Sequence, residues 1–219
     1  MLPHGFILSF QRRDRCSTRR LRGASNGGFH MSLRVHVATG LMQGVRQVLS
    51  PHLDARPAGL EPDLIVMHGI SLPPGQFGGP WIDKLFSGNL PREGHPYFAE
   101  IFGMRVSTHL LVRRSGELVQ YVPFGMRAWH AGASEYLGRS ACNDFSIGIE
   151  MEGADEVPYE GAQYNGAGAA IRALLEAYPK LARERIVGHS DVAPGRKTDP
   201  GSAFDWTALR AAVGVCKSL

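Results

Sequence analysis

The sequence predicts an α/β layered domain built on a mixed β-sheet. Three observations carry this. Short apolar runs of strand length alternate with stretches whose apolar positions follow helical spacing. Two alternating runs, residues 105–113 and 117–122, are joined by the turn pair Ser115-Gly116 and read as a hairpin. A length of 219 residues with 43% apolar and 20% charged side chains suffices for one domain with a sizeable core. A hairpin has no place in a purely parallel sheet, so the sheet is expected to be mixed.

The elements follow in chain order. Residues 63–68 close the apolar run Leu64-Ile65-Val66-Met67 on His68 and form a buried strand, and the Gly/Pro-rich stretch up to Pro80 is a surface loop. Residues 81–86 fit a short helix stopped near Gly88, and the hairpin comes next. Residues 145–151 make another buried strand. Over residues 163–178 Ala167, Ala170, Ile171, Leu174 and Leu175 repeat at helical spacing, and Pro179 supplies the stop. Residues 185–188 form a short strand, and residues 205–215 a last helix with Asp205 as its N-cap.

The net charge of +4 invites a nucleic-acid reading, but its distribution removes it. Residues 1–30 hold six arginines (Arg12, Arg13, Arg15, Arg19, Arg20 and Arg22) against Asp14 alone, while the other 189 residues carry 18 basic and 19 acidic side chains. Residues 1–30 are therefore expected to be a disordered basic leader or a mis-assigned start ahead of Met31, and residues 31–219 a single domain. In the leader the apolar cluster Phe6-Ile7-Leu8 precedes the arginines, the reverse of an export signal, and no run reaches transmembrane length. The expectation is a cytoplasmic protein with no nucleic-acid, membrane or obligate protein partner. Cys16, Cys142 and Cys216 are too few and too scattered for a disulfide framework, and Cys142 reads as a buried, inert thiol.

The run GHSDVAPGRKTDPG (188–201) places a histidine, a lysine and two aspartates in a Gly/Pro-rich loop that cannot be core. Imidazole and carboxylate are ordinary zinc ligands, and a catalytic zinc takes three protein ligands with one position left to water. His189 and either Asp191 or Asp199 supply two, and His68, delivered at the end of a buried strand, is the candidate third. Glu150 or Glu152, after the next buried strand, offers a carboxylate raised from an apolar element, where burial lifts its pKa toward proton shuttling. Lys197 or Arg196 offers a positive group for an oxyanion. His4, His30, His36, His52 and His95 have no ligand partner at suitable spacing, and His109 sits in an alternating strand as a structural residue.

Five segments in order, SPHLDARP (50–57), HGISLPPGQFGGPW (68–81), QYVPF (120–124) running on to WHAG (129–132), CNDFSIGIE (142–150) and the loop above, give residues 50–206 a specific resemblance to the AmpD family of zinc-dependent N-acetylmuramoyl-L-alanine amidases, relatives of peptidoglycan recognition proteins. The resemblance implies a central mixed sheet flanked by helices with zinc in a surface groove. It assigns zinc to His68, His189 and Asp199, the reaction centre to Glu150 and Lys197, and the binding of a small-molecule muropeptide to Tyr97, Arg105, Trp129, His130 and Asn143. Trp129 is expected to offer a flat face to a sugar ring, and His130 to meet substrate or brace a zinc ligand. The implied reaction cuts the amide between N-acetylmuramic acid, in its 1,6-anhydro form, and L-alanine during wall recycling. Three departures stand out. Related amidases commonly have asparagine where this chain has Gly69, several have arginine where it has Ala141, and many have tyrosine where Leu110 follows His109, which moves the acid-base role onto Glu150.

Overall fold

The computed structural model describes residues 33–214, and the expected basic leader, residues 1–30, lies outside the described residues. The main sheet has six strands: β1 (Arg46–Gln47), β2 (Leu64–Ile70), β3 (Leu110–Val112), β4 (Leu118–Gln120), β5 (Ser146–Glu152) and β6 (Ile186–Gly188). Their spatial order is β6-β2-β5-β3-β4-β1, antiparallel between β3 and β4 and parallel at every other junction, so the sheet is mixed as expected. The helices are α1 (Trp81–Phe86), α2 (Phe98–Ile101), α3 (Gly161–Ala177), α4 (His189–Val192) and α5 (Trp206–Val213). No helix among the described residues is long and apolar enough to cross a membrane.

Strand alternation sorts the two central strands between the faces of the sheet. Ile65 and Met67 of β2, with Ile147, Ile149 and Met151 of β5, pack against Ala167, Ile171 and Leu174 of α3 and Leu209 and Val213 of α5. Leu64, Val66 and His68 alternate to the other face, as do Ser146, Gly148, Glu150 and Glu152. One side of β2 and β5 is therefore core, and the other ends in polar groups. Ile82, Leu85 and Phe86 of α1 and Phe98 of α2 form a second apolar cluster with Leu111, Val119 and Tyr121.

Several boundaries move for identifiable reasons. β2 continues two residues past His68, because Gly69 and Ile70 pair with Met151 and Glu152 of β5. Neither His68 nor Glu150 therefore ends its strand, contrary to expectation. The first hairpin strand begins at Leu110 and not at residue 105. Ahead of it the Ser107 hydroxyl donates to the His52 carbonyl at 2.6 Å and accepts from Trp129 N at 3.0 Å, so residue 107 bonds outside the hairpin. α3 starts at Gly161 because Gln163 Oε1 accepts from Glu160 N at 3.0 Å, the capping-box arrangement. α5 has Asp205 as its N-cap, with Oδ1 accepting from Thr207 N and Ala208 N. It ends at Val213, since Gly214 takes the left-handed conformation (φ 82°) that closes a helix.

Candidate metal centre and groove

Parallel pairing of β2 with β5 puts His68 and Glu150 directly opposite each other on the polar face. His189 opens α4 immediately after β6, the strand on the other side of β2, so it reaches the same place. Asp199 comes from the following loop, whose carbonyl accepts from Ser190 N at 3.0 Å and ties the loop to α4. The Nδ1 atoms of His68 and His189 stand 3.0 Å apart, and Asp199 Oδ2 lies 3.2 Å from the first and 3.0 Å from the second. One ligand atom from each residue fits within 4.8 Å of the others. Two imidazole nitrogens and a carboxylate oxygen at this spacing converge as lone-pair donors, an arrangement suited to a divalent cation. Asp191 is turned away, its Oδ2 accepting from Gly188 N at 2.7 Å at the start of α4.

The charge states suit the same conclusion. Burial, reinforced by His189 and Lys197 and opposed by Asp199, pushes His68 down to about 4, so its ring is neutral near pH 7. Burial alone would raise Asp199, but its hydrogen bonds with His189 and His68 outweigh that and hold it below the usual carboxylate range. Glu150 goes the other way. Burial first and the Asp199 charge second lift it well above the ordinary value, against the pull of Lys197. Its Oε2 is buried without a hydrogen-bond partner within the protein. Two carboxylates in one site are thus driven apart, one ionised and one ready to take a proton.

These groups form the floor of a groove of about 510 Å³. Tyr97, Trp129, His130 and Lys197 line it with Glu150 and the metal cluster, while Arg105 and Asn143 do not. Arg105 lies with its guanidinium 5.0 Å from the centre of the Trp129 ring. His52 stacks on that ring at 5.9 Å, and the indole N–H donates to Asp54 Oδ1 at 3.2 Å. Trp129 thus has His52 and Arg105 against its ring and is not a bare platform. Asn143 is buried, and its Oδ1 accepts from the backbone N–H groups of His130 at 3.1 Å and Ala131 at 2.8 Å. A buried amide needs such partners, and these turn it away from the groove. Arg196 is likewise committed, donating to the carbonyls of Ala131 and Ala133, which leaves Lys197 as the groove cation of that pair.

His109 is structural. Its Nδ1 accepts from Gly148 N at 3.0 Å, its Nε2 meets the Met126 carbonyl at 3.1 Å, and burial pushes its pKa down to about 3. Cys142 is buried and its thiol is pushed up by burial, as an inert thiol should be. Sequence reasoning missed Tyr159, whose hydroxyl donates to the Pro200 carbonyl at 2.8 Å beside Asp199. A Cβ at Gly69 would stand 2.4 Å from that hydroxyl, so Tyr159 occupies the space an asparagine side chain would need. Ninety residues separate the two positions, and no local pattern joins them.

The sequence and the fold both have known relatives. Residues 58–202 match the family model described as N-acetylmuramoyl-L-alanine amidase. The 1,6-anhydro-N-acetylmuramyl-L-alanine amidase AmpD of Escherichia coli (strain K12) is 58% identical over 174 residues, covering 80% of this chain and 94% of the relative. A crystal structure of a selenomethionine AmpD derivative superposes with a TM-score of 0.77 at 56% identity, over 80% of this chain and 97% of that one. AmpDh3 from Pseudomonas aeruginosa, solved in complex with anhydromuramic pentapeptide, matches at a TM-score of 0.50 and 26% identity, over 69% of this chain and 60% of that one.

Proposed function

The chain belongs to the N-acetylmuramoyl-L-alanine amidase family, and from that premise we propose that it hydrolyses the amide joining 1,6-anhydro-N-acetylmuramic acid to L-alanine in muropeptides recovered in the cytoplasm. The observation that carries this reading is the in-register pair His68 and Glu150 beside the His68–His189–Asp199 cluster on the groove floor. The substrate form is the one named for the Escherichia coli relative.

In this reading His68, His189 and Asp199 hold zinc. Zinc there, when bound, polarises the scissile carbonyl and brings the pKa of water to about 7. Glu150 takes the proton that the attacking water gives up and delivers it to the leaving L-alanine nitrogen. A buried carboxyl whose pKa is raised by burial and by the Asp199 charge takes up a proton more readily than an ordinary carboxylate and can then pass it on. Lys197 places its charge against the carbonyl oxygen as that oxygen becomes negative. The Tyr97 and Trp129 side chains, with Arg105 behind the tryptophan, position the sugar and lactyl end of the substrate.

Incubation of the zinc-loaded protein with anhydro-muramyl tripeptide and, separately, with intact sacculi tests this, with products followed by mass. Free L-Ala-led tripeptide from the first and little release from the second is expected. Equal rates on reducing-end muropeptides or sacculi would remove the anhydro assignment, and no cleavage of any of them would remove the reading itself.

A further inference from the structure

We propose that the segment His130-Ala131 fixes the tautomers of both histidines in the metal cluster, one through a side chain and the other through a carbonyl, so that each presents a bare Nδ1 to the ion. The inference rests on the reading that His68, His189 and Asp199 hold zinc, and it makes His130 a positioning residue.

The first branch is a relay whose direction is set at its far end. The Ser146 hydroxyl lies 2.6 Å from the Cys142 carbonyl, which can only accept, so the hydroxyl hydrogen is spent there. Ser146 Oγ therefore receives, and His130 Nε2, 3.2 Å away, is the donor. A neutral imidazole carries one N–H. His130 thus keeps a lone pair on Nδ1, which accepts from His68 Nε2 at 2.9 Å. His68 then has its proton on Nε2 and none on Nδ1, the atom that faces His189 and Asp199. A histidine ligates a metal only as the neutral imidazole, the state in which one ring nitrogen donates and the other is bare.

The second branch is shorter. His189 Nε2 lies 3.2 Å from the Ala131 carbonyl, again an acceptor only, so the proton sits on Nε2 and Nδ1 is free. Arg196 donates to the same carbonyl at 2.6 Å and holds it in place. The two branches share one mount. Asn143 Oδ1 accepts from the backbone N–H of both His130 and Ala131, which is why this asparagine faces the main chain. The His130 ring lies flat on the β5 backbone, where a Cβ at residue 148 would come within 2.5 Å of its Cγ. Gly148 is the residue that leaves room. Moving either proton to Nδ1 would set two acceptors against each other, His68 Nε2 against His130 Nδ1 or His189 Nε2 against the Ala131 carbonyl, so the ligands are prepared before the ion arrives.

Ser146→Ala removes the acceptor at the end of the relay while leaving every ligand in place. Zinc affinity measured by competition with a chromophoric chelator is expected to fall about 10- to 100-fold, with Ser146→Thr, which restores a hydroxyl, regaining it. In the zinc-loaded wild type, histidine ¹⁵N spectra are expected to show His130 as the Nε2–H tautomer, and in Ser146→Ala that signature is expected to be lost or mixed. A His130 Nδ1–H tautomer in the wild type, or wild-type zinc affinity in Ser146→Ala, overturns the proposal. Undiminished zinc binding by His68→Ala would instead overturn the ligand assignment beneath it.

Discussion

The floor of the groove and its rim are built on opposite principles. On the floor His68, His189 and Glu150 are buried, and Asp199 is tied to both histidines at 3.0 to 3.2 Å. On the rim the groove-lining Lys197 and Met104 are exposed, as are Phe102 and Arg105, which flank Met104 in the chain outside the groove lining. The two histidines and Asp199 have their partners settled when the chain folds, since leaving a buried polar group unpaired costs about 1–3 kcal/mol, and Glu150 Oε2 is the one floor atom left without a partner within the protein. A rim group can be satisfied by water until a ligand replaces it. The chemistry is thus fixed in advance, and the recognition surface is left adaptable.

Removing a floor ligand gives the largest effect and the hardest test of that contrast. His68→Ala, His189→Ala and Asp199→Ala should each lose bound zinc, measured by metal analysis after dialysis, and fall to background hydrolysis, because a three-ligand site cannot spare one. Chelation of the wild-type protein should do the same. Should Arg105→Ala or Lys197→Ala lose zinc to the same extent, the division between floor and rim collapses.

Glu150→Gln comes next. It should retain zinc while kcat falls about 100- to 10,000-fold, the range for acid-base assistance. The same variant carries a pH signature in the metal-free protein. Because burial raises the folded-state pKa of Glu150, its contribution to stability is complete below the unfolded-state value and is lost as pH rises through the folded one. Glu150→Gln should therefore raise the melting temperature more at about pH 7 than at about pH 4. An equal shift at both would show that the carboxyl is solvated in the folded chain.

Lys197→Met sharpens the comparison, since this residue stands on the rim yet is assigned to the chemistry. A loss of about 100- to 1,000-fold in kcat with little change in KM matches an oxyanion contact. A change confined to KM would make it a binding residue. Trp129→Ala should cost less, about tenfold in kcat/KM with zinc content unchanged, from loss of an aromatic contact worth about 1 kcal/mol and of the support under Arg105. Deleting residues 1–30 should have the smallest effect, leaving kcat and melting temperature nearly unaltered, because the segment's arginine-rich composition has no apolar periodicity with which to dock. A fall of several degrees in melting temperature would show otherwise.

What the sequence determined by itself was local. Apolar runs marked the buried strands, alternation the hairpin, helical spacing α3 and local stop and cap residues α1 and α5, because each is a property of a short stretch of backbone. The polar run around His189 and Asp199 announced chemistry, although its first part is not the coreless loop expected: His189 and Val192 are buried in the short helix α4. The choice of Asp199 over Asp191, of Glu150 over Glu152 and of Lys197 over Arg196 came from family resemblance, and each has a physical counterpart visible only in three dimensions. Asp191 accepts from Gly188 N, Arg196 is spent on the carbonyls of residues 131 and 133, and Glu152 accepts from Arg113 Nη1 at 3.2 Å and from Gly78 N at 2.7 Å. Tertiary structure alone decided that Glu150 stands opposite His68, that Asn143 faces the backbone of residues 130–131, and that Trp129 has His52 and Arg105 against its ring. Each of these depends on strand register or on a partner far away in sequence. A side chain's identity says what bonds it can make, but which of them it makes depends on what the fold brings within about 3 Å.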